Sequence, residues 1–231
     1  MKILAVSDEP SRSLETLVND SPEKYADVNL VVSCGDLDRS YVEFLADRLK
    51  KELFFVSGNH PGELDYDEDL VTKKEPVIMY INGRADLHGR AAAYKDYIVA
   101  GFGGSAWYNG EYNQYTEQQM SRVVKTVERK IAWHRLQDKL LGRKPKEVIV
   151  VSHAPVLGIH DLSDRPHRGF KCFKKFIDKI SPLLWLHGHV HLPNQFTSQI
   201  TVVGSTTVVN AFGCKIIEIH SKKIHVTSHC N

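Results

Sequence analysis

Five short apolar runs along the chain each stop at polar residues with donor atoms. Residues 2 to 7 run into Asp8, and residues 28 to 34 run into Gly35-Asp36. Leu53-Phe54-Phe55-Val56 is followed by Ser57-Gly58-Asn59-His60, and Val148-Ile149-Val150-Val151 by Ser152-His153-Ala154-Pro155. Leu183-Leu184-Trp185-Leu186 leads into His187-Gly188-His189-Val190-His191. Short runs of β-prone residues bounded by glycine, proline and polar residues predict buried strands. Tyr41 to Lys51 sets Phe44, Leu45 and Leu49 among charges at helical spacing, which predicts a helix between the second and third strands. Residues 2 to 60 therefore read as a βαβαβ unit, its largely parallel strands ending at one edge.

The middle of the chain is less regular. Residues 61 to 75 are acidic and predict a solvated loop or short helix. Residues 77 to 81, 85 to 88 and 97 to 102 predict short strands, and Trp107 to Tyr115 an aromatic, polar loop able to line a cleft. The longest helix is predicted from Thr116 to Leu141, opened by Thr116 with Gln119 three residues on and closed by Gly142 and Pro145. Its inward stripe is Met120, Val124, Val127 and Ile131. Arg122, Lys125, Arg129, Lys130, Arg135 and Lys139 read as its solvated face. Residues 200 to 203, 206 to 209, 215 to 219 and 223 to 227 are β-branched runs separated by turns, which predicts antiparallel hairpins or a meander forming a second sheet. Two sheets face to face with helices outside accommodate all of this in a single domain over residues 1 to 231.

Composition narrows the function classes. A formal net charge of +2 over 231 residues is too small to imply a polyanion as the main partner. No stretch approaches the roughly 18 apolar residues of a membrane span, and the first apolar run is too short for a signal peptide, so a cytoplasmic protein without a membrane partner is expected. Cys34, Cys172, Cys214 and Cys230 show no close spacing and read as reduced thiols.

The strand ends carry the candidate chemistry. Asp8, Asp36, Asn59, His153, His189 and His191 follow five strands, and ligands of open α/β sheets gather at such ends. Carboxylate, amide oxygen and imidazole together suit borderline divalent ions: manganese, iron or zinc.

In type and order these residues resemble the calcineurin-like metallophosphoesterases, whose pattern is D-x-H, GD, GNH, a histidine often within S-H-A-P, and G-H-x-H. The matches are Asp8, Gly35-Asp36, Gly58-Asn59-His60, Ser152-His153-Ala154-Pro155 and Gly188-His189-Val190-His191. The resemblance implies an α/β fold of the two-sheet αββα sandwich type. It also implies two divalent ions that activate a hydroxide to hydrolyse a phosphodiester or phosphomonoester. Carried over by motif, Asp36 bridges the ions, Asp8 and His191 serve the first, and Asn59, His153 and His189 serve the second. His60 becomes the catalytic residue that stabilises phosphoryl charge or protonates the leaving oxygen. One position departs from the pattern: Pro10 stands where the family has a histidine. The first site is thereby one protein ligand short and expected to be weak, with Glu9, His187 or a water as candidates for the place. The expected partner is a small phosphate ester. A nuclease of the same fold, or a catalytically weakened metal-binding scaffold for a protein partner, are the alternatives.

Overall fold

A computed structural model describes residues 1–60, 80, 81 and 83–228. The N-terminal part alternates as expected: β1 (Lys2–Ser7), α1 (Arg12–Asp20), β2 (Leu30–Ser33), α2 (Arg39–Leu49) and β3 (Glu52–Phe55). β1, β2 and β3 are parallel neighbours. After them come β4 (Tyr80–Ile81), β5 (Arg84–Ala85), β6 (Ala91–Tyr94), β7 (Tyr97–Phe102), β8 (Ser105–Ala106) and β9 (Gln114–Tyr115). The chain then forms α3 (Glu117–Leu140), β10 (Glu147–Ser152), α4 (Lys171–Ile180) and β11 (Leu184–His187). It closes with β12 (Ile200–Val203), β13 (Thr206–Asn210), β14 (Gly213–His220) and β15 (Lys223–Thr227).

Two large sheets result, ordered β15-β14-β1-β2-β3 and β12-β13-β11-β10-β7-β6, beside the two-stranded pairs β4-β5 and β8-β9. The two-residue period of a strand sorts their side chains into layers. Leu4 and Val6 point to a core shared with Leu14 of α1 and Leu45 of α2, while Ile3 and Ala5 point to a core between the sheets. On β10, Ile149 and Val151 join that central core, and Val148 and Val150 face a third core under α3 and α4. Strands buried on both faces read as continuous apolar runs, which is why the five runs are so plain in the sequence. Helix, sheet, sheet, helix is the αββα sandwich.

The last four strands form the expected antiparallel hairpins, β12 with β13 and β14 with β15, but not a sheet of their own. β12 and β13 extend the second sheet, with β13 parallel to β11, whereas β14 and β15 extend the first, with β14 antiparallel to β1. The cause is two-sided burial: Cys214 and Ile216 of β14 join the core under α1 and α2, and Ile217 and Ile219 join the core between the sheets. Hairpin spacing cannot report which sheet a strand enters. The strand expected over 85 to 88 stops at Ala85, because the Asp86 carboxylate turns the chain by accepting the backbone N–H of Ser57 at 2.9 Å and of His88 at 2.6 Å. Of the strand expected over 77 to 81, residues 80 and 81 pair with β5, and residues 77 to 79 lie outside the described residues, as does the acidic stretch from 61 to 75. The helix α4 was not expected, although Phe173, Phe176 and Ile177 follow helical spacing into the core. Cys34 and Cys172 are buried free thiols, but Cys214 is disulfide-bonded, against the reading of four reduced cysteines. The capping box at Thr116 and Gln119 forms as expected. Among the described residues no helix is long and apolar enough to cross a membrane.

Candidate metal centre

Both sheets deliver their strand ends to one place. Asp8 follows β1, Asp36 follows β2, Asn59 and His60 follow β3, His153 follows β10, and His189 and His191 follow β11. The turns are sharp: Asp8, Asp36 and His189 take left-handed φ values of 65°, 53° and 68°. Asp, Asn and His tolerate this region better than most residues, and such backbone gathers at functional sites. Two glycines permit the close approach. A Cβ on Gly58 would collide with the Asp36 carboxylate, and one on Gly188 would run into Ser7 Oγ and lie 2.6 Å from Asp8 Oδ2.

Four acceptor atoms converge at the centre. His153 Nε2 lies 3.0 Å from Asn59 Oδ1, 3.1 Å from Asp36 Oδ2 and 3.1 Å from His189 Nδ1. Donor atoms of Asp36, His153 and His189 all fall within 4.8 Å of one another. The outer ring nitrogens are tied to carbonyls, His153 Nδ1 to Cys34 O at 2.8 Å and His189 Nε2 to Pro166 O at 2.7 Å. A carbonyl only accepts, so those nitrogens carry protons; the inner nitrogen of His189, and that of His153 once its ring is neutral, present lone pairs. The Asn59 amide is oriented the same way, its Nδ2 donating to Tyr108 Oη at 3.3 Å. Lone pairs of two imidazoles, an amide oxygen and a carboxylate facing one another repel unless a cation, a proton on His153 or a metal ion in its place, lies among them, and the set suits a borderline divalent ion.

Protonation shows the same electrostatic demand. Burial alone would lower His153, but the carboxylates of Asp36 and Asp8 outweigh it and push its pKa up to about 9. Burial, reinforced by His153, holds His189 down to about 3. Asp36 is lowered because the neighbouring His153 overcomes the opposing effect of burial, whereas burial raises Asp8.

Asp8 and His191 lie to one side. The Asp8 carboxylate accepts the backbone N–H of His189 at 2.9 and 3.1 Å, and His191 Nε2 stands 3.8 Å from Asp8 Oδ1 with its side chain 67% exposed. His60 is exposed; its backbone N–H donates to Asp36 Oδ1 at 2.9 Å. Glu9 and Pro10 are exposed too. His187 is turned to other partners: its Nε2 meets His160 Nδ1 at 2.9 Å and its Nδ1 meets Gly188 O at 3.0 Å. It is not free to stand in for the histidine that Pro10 replaces. Sequence reasoning missed the supports: Tyr108 on Asn59, the carbonyls of Cys34 and Pro166, and Asn113, whose Nδ2 donates to Gly58 O at 2.7 Å. Only the aromatic, polar character of residues 107 to 115 signalled two of these.

The sequence profile of the calcineurin-like phosphoesterases matches residues 1–193. The chain belongs to that family. Members of the family bind divalent metals at a dinuclear site, and the cluster of Asp36, His153 and His189 is a possible part of one here. Among solved structures, TT1561 of Thermus thermophilus is similar with a TM-score of 0.58 and 15% identity, over 99% of each chain. A dimetal phosphatase from Danio rerio is similar at 0.56 and 13%, covering 98% of this chain and 95% of that one. A hypothetical protein from Thermus thermophilus follows at 0.54 and 13%, covering 98% and 97%. At such identities the likeness establishes the fold, the metallophosphoesterase sandwich. No curated protein matches the chain in sequence.

Proposed function

We propose that the chain, acting as one domain over residues 1 to 231, hydrolyses a phosphate ester with divalent metal held at the strand-end cluster. The observation that carries this reading is the convergence of His153 Nε2, His189 Nδ1, Asn59 Oδ1 and Asp36 Oδ2 with every outer nitrogen already tied to a carbonyl. Asp36, Asn59, His153 and His189 would hold one ion, and Asp8 and His191, sharing Asp36, the other. Bound ions of this kind acidify water and neutralise phosphoryl charge. The protein's own contribution is orientation: Cys34 O and Pro166 O fix the ring tautomers, and Tyr108 holds the amide. His60, exposed at the rim beside Asp36, is placed to meet the phosphoryl oxygens or the leaving oxygen of a bound ester. The substrate is a small phosphodiester or phosphomonoester met in the cytoplasm, and manganese, iron or zinc is the metal.

A second reading has its own observation. Pro10 offers no ligand, His187 is engaged by His160, and His191 is mostly exposed, so the Asp8 side is thinly built. A scaffold that keeps one metal and has lost turnover would look like this.

Asp36→Asn tests the first reading, because this carboxylate is proposed to touch both ions. Metal analysis should show the largest loss of any single ligand change, with hydrolysis of bis(p-nitrophenyl) phosphate abolished. Retention of two metal equivalents with full turnover would reduce Asp36 to a turn residue, whereas a folded wild type inactive with every metal tried would favour the scaffold.

A further inference from the structure

α3 carries apolar side chains on two opposite sides, and only one is used by the core. Met120, Val124, Val127 and Ile131 pack inward. At 3.6 residues per turn, Trp133, Leu136 and Leu140 fall on the diametrically opposite side, 58%, 45% and 75% exposed, with Leu141 at 61% just past the helix end. Arg122, Lys125, Arg129, Lys130 and Lys139 share this outer half, all exposed, and Arg143 and Lys144 extend it. None of the three carboxylates of α3 lies free there. Glu128 is drawn to Lys179 of α4, Asp138 is buried against Lys146, and Glu117 accepts the backbone N–H groups of Lys171 and Cys172. A solvated face requires the cations but not a tryptophan and three leucines beside them.

We infer that this face docks on an anionic lipid surface. Charge complementarity chooses the occupant: a face dominated by cations needs an anionic partner, and a second copy of the chain would set cations against cations. Nucleic acid would satisfy the cations and leave Leu136, Leu140 and Leu141 in water. A bilayer interface takes both, with headgroup phosphates on the lysines and arginines and the leucines at the acyl boundary, where tryptophan also settles. The helix would lie on the surface without spanning it. The outer face of α3 is thus a docking surface, where the sequence predicts only a solvated one.

Sedimentation of the full chain with vesicles tests this. Phosphatidylcholine vesicles containing phosphatidylserine should carry the protein down, and vesicles of phosphatidylcholine alone should not. Arg129→Gln and Lys139→Gln should each weaken binding about fivefold. Leu136→Gln with Leu140→Gln should reduce it further, at unchanged circular dichroism. Trp133 emission should shift to the blue on vesicle addition, a shift that Trp133→Phe removes. The inference is overturned if no vesicle binds, if both kinds bind equally, or if the leucine variants bind as well as the wild type. Tighter capture by duplex DNA or an acidic peptide, indifferent to the leucine changes, would also overturn it.

Discussion

His60 is hydrogen-bonded to the centre through its backbone N–H, which separates the proposed chemistry of its ring from metal binding. The N–H that donates to Asp36 Oδ1 survives a change to alanine, and the ring is exposed. His60→Ala should therefore keep its metal while turnover on substrates with poor leaving groups falls by about 10² to 10⁴, the usual value of a positioned acid or base. Metal loss in this variant would place the ring in the coordination shell instead. Lys215 is a second residue with a consequence of its own. It is fully buried, its Nζ donates to Gln195 O at 2.9 Å and Phe212 O at 2.7 Å, and burial lowers its pKa to about 8 from 10.5. Between those two values the unfolded chain binds the extra proton, so stability should climb as pH rises from about 8 to 10.5. Below pH 8 this contribution is absent. Denaturant titrations across that window should show the slope, and Lys215→Met should flatten it.

At the scale of elements, the centre is made by strand ends that approach too closely for side chains between them. Gly188 carries the chain out of β11 and past Ser7 and Asp8 at the end of β1, so the two sheets nearly touch there. Gly188→Ala should cost about 1 to 3 kcal/mol by overpacking, and it should weaken metal binding as Asp8 is displaced. Equilibrium unfolding of the metal-free variant isolates the packing cost, and a wild-type curve would mean that Ser7 moves aside freely. The same strand ends explain what could be read from the chain without its structure. Runs such as Val148 to Val151 are buried on both faces and end in polar residues, so strand and candidate site were legible together. The pairing of β14 with β1 was not, because register and sheet membership depend on which core faces Cys214 and Ile217 enter. Nor were the carbonyls of Cys34 and Pro166, since every residue carries one and only the fold aims it. The role of Asn113 was hidden for the same reason: its partners, the carbonyls of Ser57 and Gly58, lie more than fifty residues away.

For the whole molecule, the proposed ligands are divided between the sheets: Asp8, Asp36 and Asn59 from the first, His153, His189 and His191 from the second. Bound metal would therefore tie the two halves of the sandwich together, and the unfolded chain has no comparable site. Binding linked in this way stabilises by about 2.7 kcal/mol when free metal exceeds Kd a hundredfold. In a chain of 231 residues that corresponds to a melting midpoint higher by roughly 5 to 10 °C. The two ions should not contribute equally. The His153 and His189 side is buried and preorganised, whereas the Asp8 side has an exposed His191, a proline in place of a histidine and no help from His187. Chelator treatment should lower the midpoint sharply. Titrating metal back should raise it in two steps, the second at far higher concentration, with activity following the second step. Pro10→His should move that second step to lower metal, provided the ring reaches the ion once the φ fixed by proline is released. Calorimetric titration of the stripped proteins decides between outcomes: two equal, tight sites in the wild type would mean that Glu9 or another group already fills the place of the missing histidine, and the asymmetry argued from Pro10 would be wrong.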